Sequence, residues 1–116
     1  MIIAFTGHRD KTAPQSELAT IIARLSPDSC IHGAALGFDT QAGQYAESVG
    51  VPVKIYPPDY ALGKGAPLIR NREMVDICDA VVACYDGRRT GGTFYTIEYA
   101  KKQGKPVHII QPEISS

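Results

Sequence analysis

The 116-residue chain has no net charge, since twelve acidic residues offset twelve basic ones. That balance gives no overall pull towards nucleic acid or an anionic membrane, so any anion site has to be local. No apolar run approaches the roughly 18 residues of a membrane span. The opening "MIIAF" lacks the charged segment and cleavage site of a secretion signal. A cytoplasmic protein with no membrane partner is the expectation. Cysteine is scarce: Cys30, Cys78 and Cys84 are odd in number, lack CxxC spacing and sit among apolar residues, so they read as reduced core thiols rather than a disulfide framework. His8, His32 and His108 have no ligand-like spacing, and no metal is expected. No serine or cysteine stands at a strand-to-helix elbow, so a hydrolase triad of that kind finds no footing. "TGHRD" follows the first apolar run where a dinucleotide fingerprint would place G-x-G-x-x-G, and no cofactor is called for.

What is present alternates. "MIIAF", ending at Thr6-Gly7, is a short apolar run of the kind that makes a fully buried strand. From Gln15, apolar residues recur at Leu18, Ile21, Ile22 and Leu25, the spacing of a helix that buries one face, and Pro27 ends it. "SCIHGAA" predicts a second strand. In the helix after it Asp39 is placed as N-cap, Ala42, Ala46 and Val49 share a face, and Gly50 marks the stop. "VPVKIY" predicts a third strand, followed by the Pro/Gly-rich loop "PPDYALGKGAP", whose length is usually functional or mobile. "LIRNREMVDICD" predicts a helix, "AVVACY" a strand, "TFYTIEYAKKQG" a helix and "PVHII" a last strand. Strands alternating with helices call for an α/β fold, a Rossmann-like three-layer sandwich with a mainly parallel five-stranded sheet, formed by residues 1–116 as one domain.

In such a sheet, ligands bind beyond the carboxyl ends of the strands, at the point where strand order reverses. Three strand ends carry glycine: "TGHRD", "HGAALGFD" and "DGRRTGG". If the fourth strand neighbours the first, the first and third of these loops face each other. Gly91, Gly92 and Thr93 then suit a phosphate held on backbone N–H groups at a helix start, with Thr90 and Thr93 adding hydroxyls and Arg88 and Arg89 facing the anion. The plain alternative is a surface turn with solvated arginines. Thr6, Gly7, His8 and Arg9 are ligand candidates on the same argument, although His8 could cap its turn and Arg9 could pair with Asp10. Gly33, Gly37 and Asp39 complete the candidate set from the second loop.

Taken together, "HGAALGFDTQAGQYA", "IRNREMVDICDAVV" and "TGGTFYTIEYAKKQGKPVHII" resemble the SLOG superfamily of Rossmann-like nucleotide-binding proteins over most of the chain. "GAALGFDTQA" and "RNREM...CDAVV" look especially like the core of the DNA-processing protein A recombination mediators, which bind single-stranded DNA. Another branch, the Lonely Guy phosphoribohydrolases, uses an arginine in R-K-x-x-M and a glutamate in P-G-G-x-G-T-x-x-E. Arg70 keeps the interval to Met74, with Asn71 in place of lysine, and Glu98 keeps the interval to Gly91-Gly92. Thr90, Phe94 and Tyr95 depart from that pattern, and aligning Gly92-Thr93 with the motif's G-T instead puts Thr96 at the acid position.

The resemblance implies binding of a nucleotide or nucleotide-derived small molecule, in a sensing or ligand-binding role. Two alternatives stand beside it. Arg70 and Glu98 would be the catalytic pair of a phosphoribohydrolase, the carboxylate stabilising an oxocarbenium-like state; Glu98 reads equally as a solvated helix residue. Single-stranded nucleic acid would be the partner if Lys64, Arg70, Arg72, Arg88 and Arg89 formed one basic cluster. Arg72 lies about 200° around the helix from Arg70, so it serves a phosphate from the helix edge or a partner subunit. The resemblance also implies a homo-oligomer associating through helices, with residues 42–49 and 94–100 as candidate faces.

Overall fold

The computed structural model describes residues 1–114. In chain order it contains β1 (Ile2–Gly7), α1 (Gln15–Leu25), β2 (Ser29–His32), α2 (Phe38–Ser48), β3 (Val53–Ile55), a 3-10 turn (Tyr60–Leu62), α3 (Ala66–Ile77), β4 (Ala80–Cys84), α4 (Gly92–Lys102) and β5 (Val107–Ile110). The five strands form one sheet in the order β3-β2-β1-β4-β5, and every neighbouring pair is parallel. The fold is the Rossmann-like three-layer α/β sandwich. The chain steps from β1 to β2 to β3 in one direction and returns to add β4 on the far side of β1. Right-handed crossovers then put α1 and α2 on one face and α3 and α4 on the other.

The period-2 alternation of strand side chains divides the core accordingly. Ile3 and Phe5 of β1, with Val82 and Cys84 of β4, pack under Leu18, Ile21 and Ile22 of α1 and Phe38, Ala42 and Ala46 of α2. Ala4, Val81 and Ala83 face the other way, against Met74 and Val75 of α3 and Ile97 and Ala100 of α4. All five residues of β4 are buried, which is why "AVVAC" is continuously apolar. The three cysteines are fully buried, and burial pushes the Cys30 and Cys84 thiols up to about 11. They are inert core side chains at neutral pH.

Several boundaries differ from the sequence reading. β2 stops at His32 rather than Ala35, because Ala34 adopts a left-handed φ of 64° that no strand can hold. Gly37, not Asp39, is the N-cap of α2, and Asp39 lies inside the first turn. Val49 leaves the shared face because the helix ends at Ser48, and it is half-exposed. α3 starts earlier than expected, with Pro67 in its first turn, where the missing N–H has no helical partner to lose.

Gly37 ties the first two loops together. Its φ is +78°, and a Cβ there would lie 2.7 Å from the carbonyl oxygens of both His8 and Arg9. Gly50 has a similar φ of +83° with nothing within 4 Å. Gly37→Ala is therefore expected to destabilise the protein by roughly 2–4 kcal/mol through strain plus a backbone clash. Gly50→Ala should cost only about 1 kcal/mol. Denaturant unfolding of the two variants checks the difference, and equal losses would show that the contact between loops is not a constraint.

Candidate functional site

A cavity of about 670 Å³ opens where β1, β2 and β4 end, within the size range of ligand pockets. The switch point lies between β1 and β4, which pair up to Gly7 and Cys84, so the loops after these strands do face each other. Thr6, Gly7, His8 and Arg9 line the cavity from the first loop, Gly33 and Asp39 from the second, and Arg88, Gly91, Gly92 and Thr93 from the third. Arg70 reaches it from α3.

Arg70 is the most constrained of these side chains. Its Nη1 donates to the carbonyl oxygens of Gly33 at 2.6 Å and Tyr56 at 3.1 Å, and its Nε donates to Asn71 Oδ1 at 2.7 Å. Among the described residues Nη2 has no partner and is the open edge of the guanidinium. The arrangement depends on Gly33, because a Cβ there would lie 2.2 Å from Arg70 Nη1. Burial lowers the arginine's pKa, yet a guanidinium stays charged at neutral pH.

Asp39 anchors the loop after β2. Its Oδ2 accepts from the N–H groups of Gly33 at 3.3 Å and Ala35 at 3.4 Å. Oδ1 is buried and has no partner among the described residues. Burial pushes the carboxyl up to about 6, against the opposing pull of the two N–H groups and Arg70. His32 completes the turn. Its Nδ1 accepts from the Ala34 N–H at 3.0 Å, and its ring lies flush on Gly43, where a Cβ would come within 2.6 Å of Nε2.

On the β4 side, His8 is buried and its Nε2 accepts from the Asp86 N–H at 3.3 Å. The same Nε2 lies 3.1 Å from Asp86 Oδ1, and burial lowers the His8 pKa against the pull of that carboxylate. Arg88 forks onto Asp86 through Nε and Nη2, at 3.0 and 2.5 Å to Oδ2. The pair holds the Asp86 carboxyl far below the usual range. Arg88 thus lines the cavity with its charge already committed, contrary to the expectation that it faces an anion. At the start of α4 the first helical bond runs from the Tyr95 N–H to Gly91 O. The preceding N–H groups of Gly92, Thr93 and Phe94 have no partner within the helix.

Other candidates lie elsewhere. Gly37 sits behind the wall, packed on the first loop. Arg89 and Thr90 are exposed and outside the cavity lining. Arg9 is exposed on the wall, and its pairing with Asp10 is not among the ion pairs of the described residues. Arg72 and Glu98 line a second groove of about 510 Å³ between α3 and α4. There Arg72 stacks 5.5 Å from the Tyr99 ring centroid, and half-exposed Glu98 lies 4.0 Å from Lys101 Nζ. The structure does not bring Arg70 and Glu98 together in one cavity. Glu98 is roughly 9 Å farther along the α4 axis than Gly92, at 1.5 Å per residue. The sequence reading missed Asn71, Pro58, Tyr60 and Leu36 in the wall, and Asp86 as the partner of Arg88. The only signal for Tyr60 was the unusual length of its loop. Among the described residues no His, Cys, Asp or Glu cluster is arranged to hold a metal.

No protein-family model matches the chain, and no curated protein matches it significantly.

Asp39 makes stability depend on pH. Its folded pKa of about 6 exceeds the ordinary 3.8, so the folded state keeps the proton that the unfolded chain has lost, and stability falls as pH rises through that window. Asp39→Asn should therefore be more stable than the wild type at pH 8, on the order of 1–3 kcal/mol, with no such gain at pH 4. Thermal melts at the two pH values read this, and a variant less stable at pH 8 would refute the strain assigned to Asp39.

Proposed function

We propose that the cavity binds the phosphate of a nucleotide or nucleotide-derived small molecule, and that the chain is a SLOG-like ligand-binding or sensing protein. One observation carries the reading. Glycine-bearing strand ends, the first N–H groups of α4, which have no partner within the helix, and a pinned arginine whose Nη2 has no partner among the described residues converge on one ligand-sized cavity at the switch point. Helix N-termini favour anions through both their N–H groups and the helix dipole. Arg70 adds the fixed charge.

The phosphoribohydrolase reading gains less. It needs a carboxylate beside the sugar, and Glu98 lines the other groove. A single-stranded nucleic acid track is likewise unsupported, because Arg70 is half-buried, Arg88 is paired with Asp86 and Arg72 faces the α3/α4 groove. Association of copies belongs to the same proposal, through the face of α4 that exposes Tyr95.

Isothermal titration with nucleoside monophosphates tests the assignment. In Gly92→Val the new Cβ has only Asn71 Nδ2 within 4 Å, at 3.8 Å, so the fold should persist while the phosphate is blocked. Gly33→Ala should keep the fold but displace the Arg70 guanidinium, lowering affinity about 10-fold, the loss of one charge-assisted hydrogen bond. Unchanged affinity in both folded variants would refute the site.

A further inference from the structure

The phosphate assignment leaves one end of the cavity without a role. The loops beyond the strands follow the sheet order, so the β4 loop and the β3 loop stand at opposite ends, three interstrand spacings or roughly 14 Å apart. The N–H donors of α4 stand at the β4 end, whereas Arg70 is pinned to Gly33 and Tyr56, beyond the ends of β2 and β3. At the β3 end the wall is Pro58 and Tyr60, joined by Leu36 from the β2 loop. Tyr60 is 73% exposed and Leu36 68% exposed, so this apolar surface serves no core.

Tyr60 nevertheless has a defined position. The Asp59 carboxylate accepts from the Ala61 N–H at 3.1 Å. The Leu62 N–H donates to Asp59 O at 2.9 Å, and the Gly63 N–H donates to Tyr60 O at 3.1 Å. Upstream, the Tyr56 N–H donates to His32 O at 2.8 Å, and Tyr56 O accepts from Arg70. Tyr60 and Arg70 line the same cavity. An exposed tyrosine is thus carried on an ordered turn at the wall of the cavity that Arg70 also lines.

We infer that Tyr60, backed by Leu36 and Pro58, is the platform on which the base of the bound nucleotide stacks, so the cavity takes a ligand with an anion at one end and a planar aromatic group at the other. The inference rests on the phosphate assignment above. An aromatic ring stacks on any base face, so the platform supplies affinity for a base without choosing strongly among bases.

Calorimetric titration of AMP, GMP, CMP and UMP, and of ribose 5-phosphate as the same anion and sugar without a base, separates the two claims. The wild type should bind at least one of the four nucleotides about 10-fold more tightly than ribose 5-phosphate. Tyr60→Ala should erase that preference while leaving ribose 5-phosphate affinity unchanged, and Tyr60→Phe should retain it. A silent Tyr60→Ala, an equal loss for nucleotide and ribose 5-phosphate, or a wild type without preference for any nucleotide overturns the platform but leaves the phosphate site standing. Absence of binding by all five compounds overturns both.

Discussion

The site depends on the contact between the Arg70 guanidinium and the bare backbone of Gly33. Only a residue without a side chain allows Nη1 to reach the Gly33 carbonyl at 2.6 Å while also bonding Tyr56 O. That single nitrogen joins the ends of β2 and β3 to the first turns of α3. Asn71 fixes the remaining rotation through Nε. The guanidinium has then lost most of its conformational freedom before any ligand arrives, which is the condition under which a charged donor contributes most to binding.

The same loop carries two local costs. Ala34 holds a left-handed φ of 64°, a conformation that disfavours an L side chain by about 1 kcal/mol. Asp39 buries a carboxylate oxygen without a partner among the described residues. Strain and unsatisfied polarity in one turn, at the wall of a ligand-sized cavity, form the pattern that binding sites show and structural turns rarely do. Glycines 37 and 43 allow close packing around the turn, Gly37 against the carbonyl oxygens of His8 and Arg9 and Gly43 of α2 against the His32 ring.

Periodicity and glycine placement made the sheet legible. The continuous apolar runs at "MIIAF" and "AVVACY" mark the two central strands, and the return of the chain past β1 places the glycine loops after β1 and β4 opposite each other. Eleven of the sixteen site candidates accordingly line the cavity. The losses have specific causes. Arg88 reads as a free cation until Asp86, two residues before it, is seen to take its fork. Glu98 fits a motif by interval alone, but interval on a helix fixes axial distance as well as face, and α4 carries it out of the cavity. Tyr60 lies in a stretch with no periodicity, where an exposed aromatic residue acquires meaning only from the wall it joins. Asp39 carries a sequence signature of capping, whereas its carboxylate turns back to the N–H groups of Gly33 and Ala35.

Charge at the cavity repeats the neutrality of the chain. Arg9, Arg70 and Arg88 contribute cations, while Asp10 and Asp39 line the same wall and Asp86 occupies Arg88 from behind. The proposed preference for anions would therefore not come from net charge, which salt would screen within about 10 Å at 0.1 M. It has to come from direction: N–H groups at the head of α4 and the uncommitted edge of Arg70, both fixed in orientation and close to where the ligand would sit. Such donors act over bond distances and select by geometry, so recognition of a phosphate of the kind proposed would need no excess of positive charge on the chain.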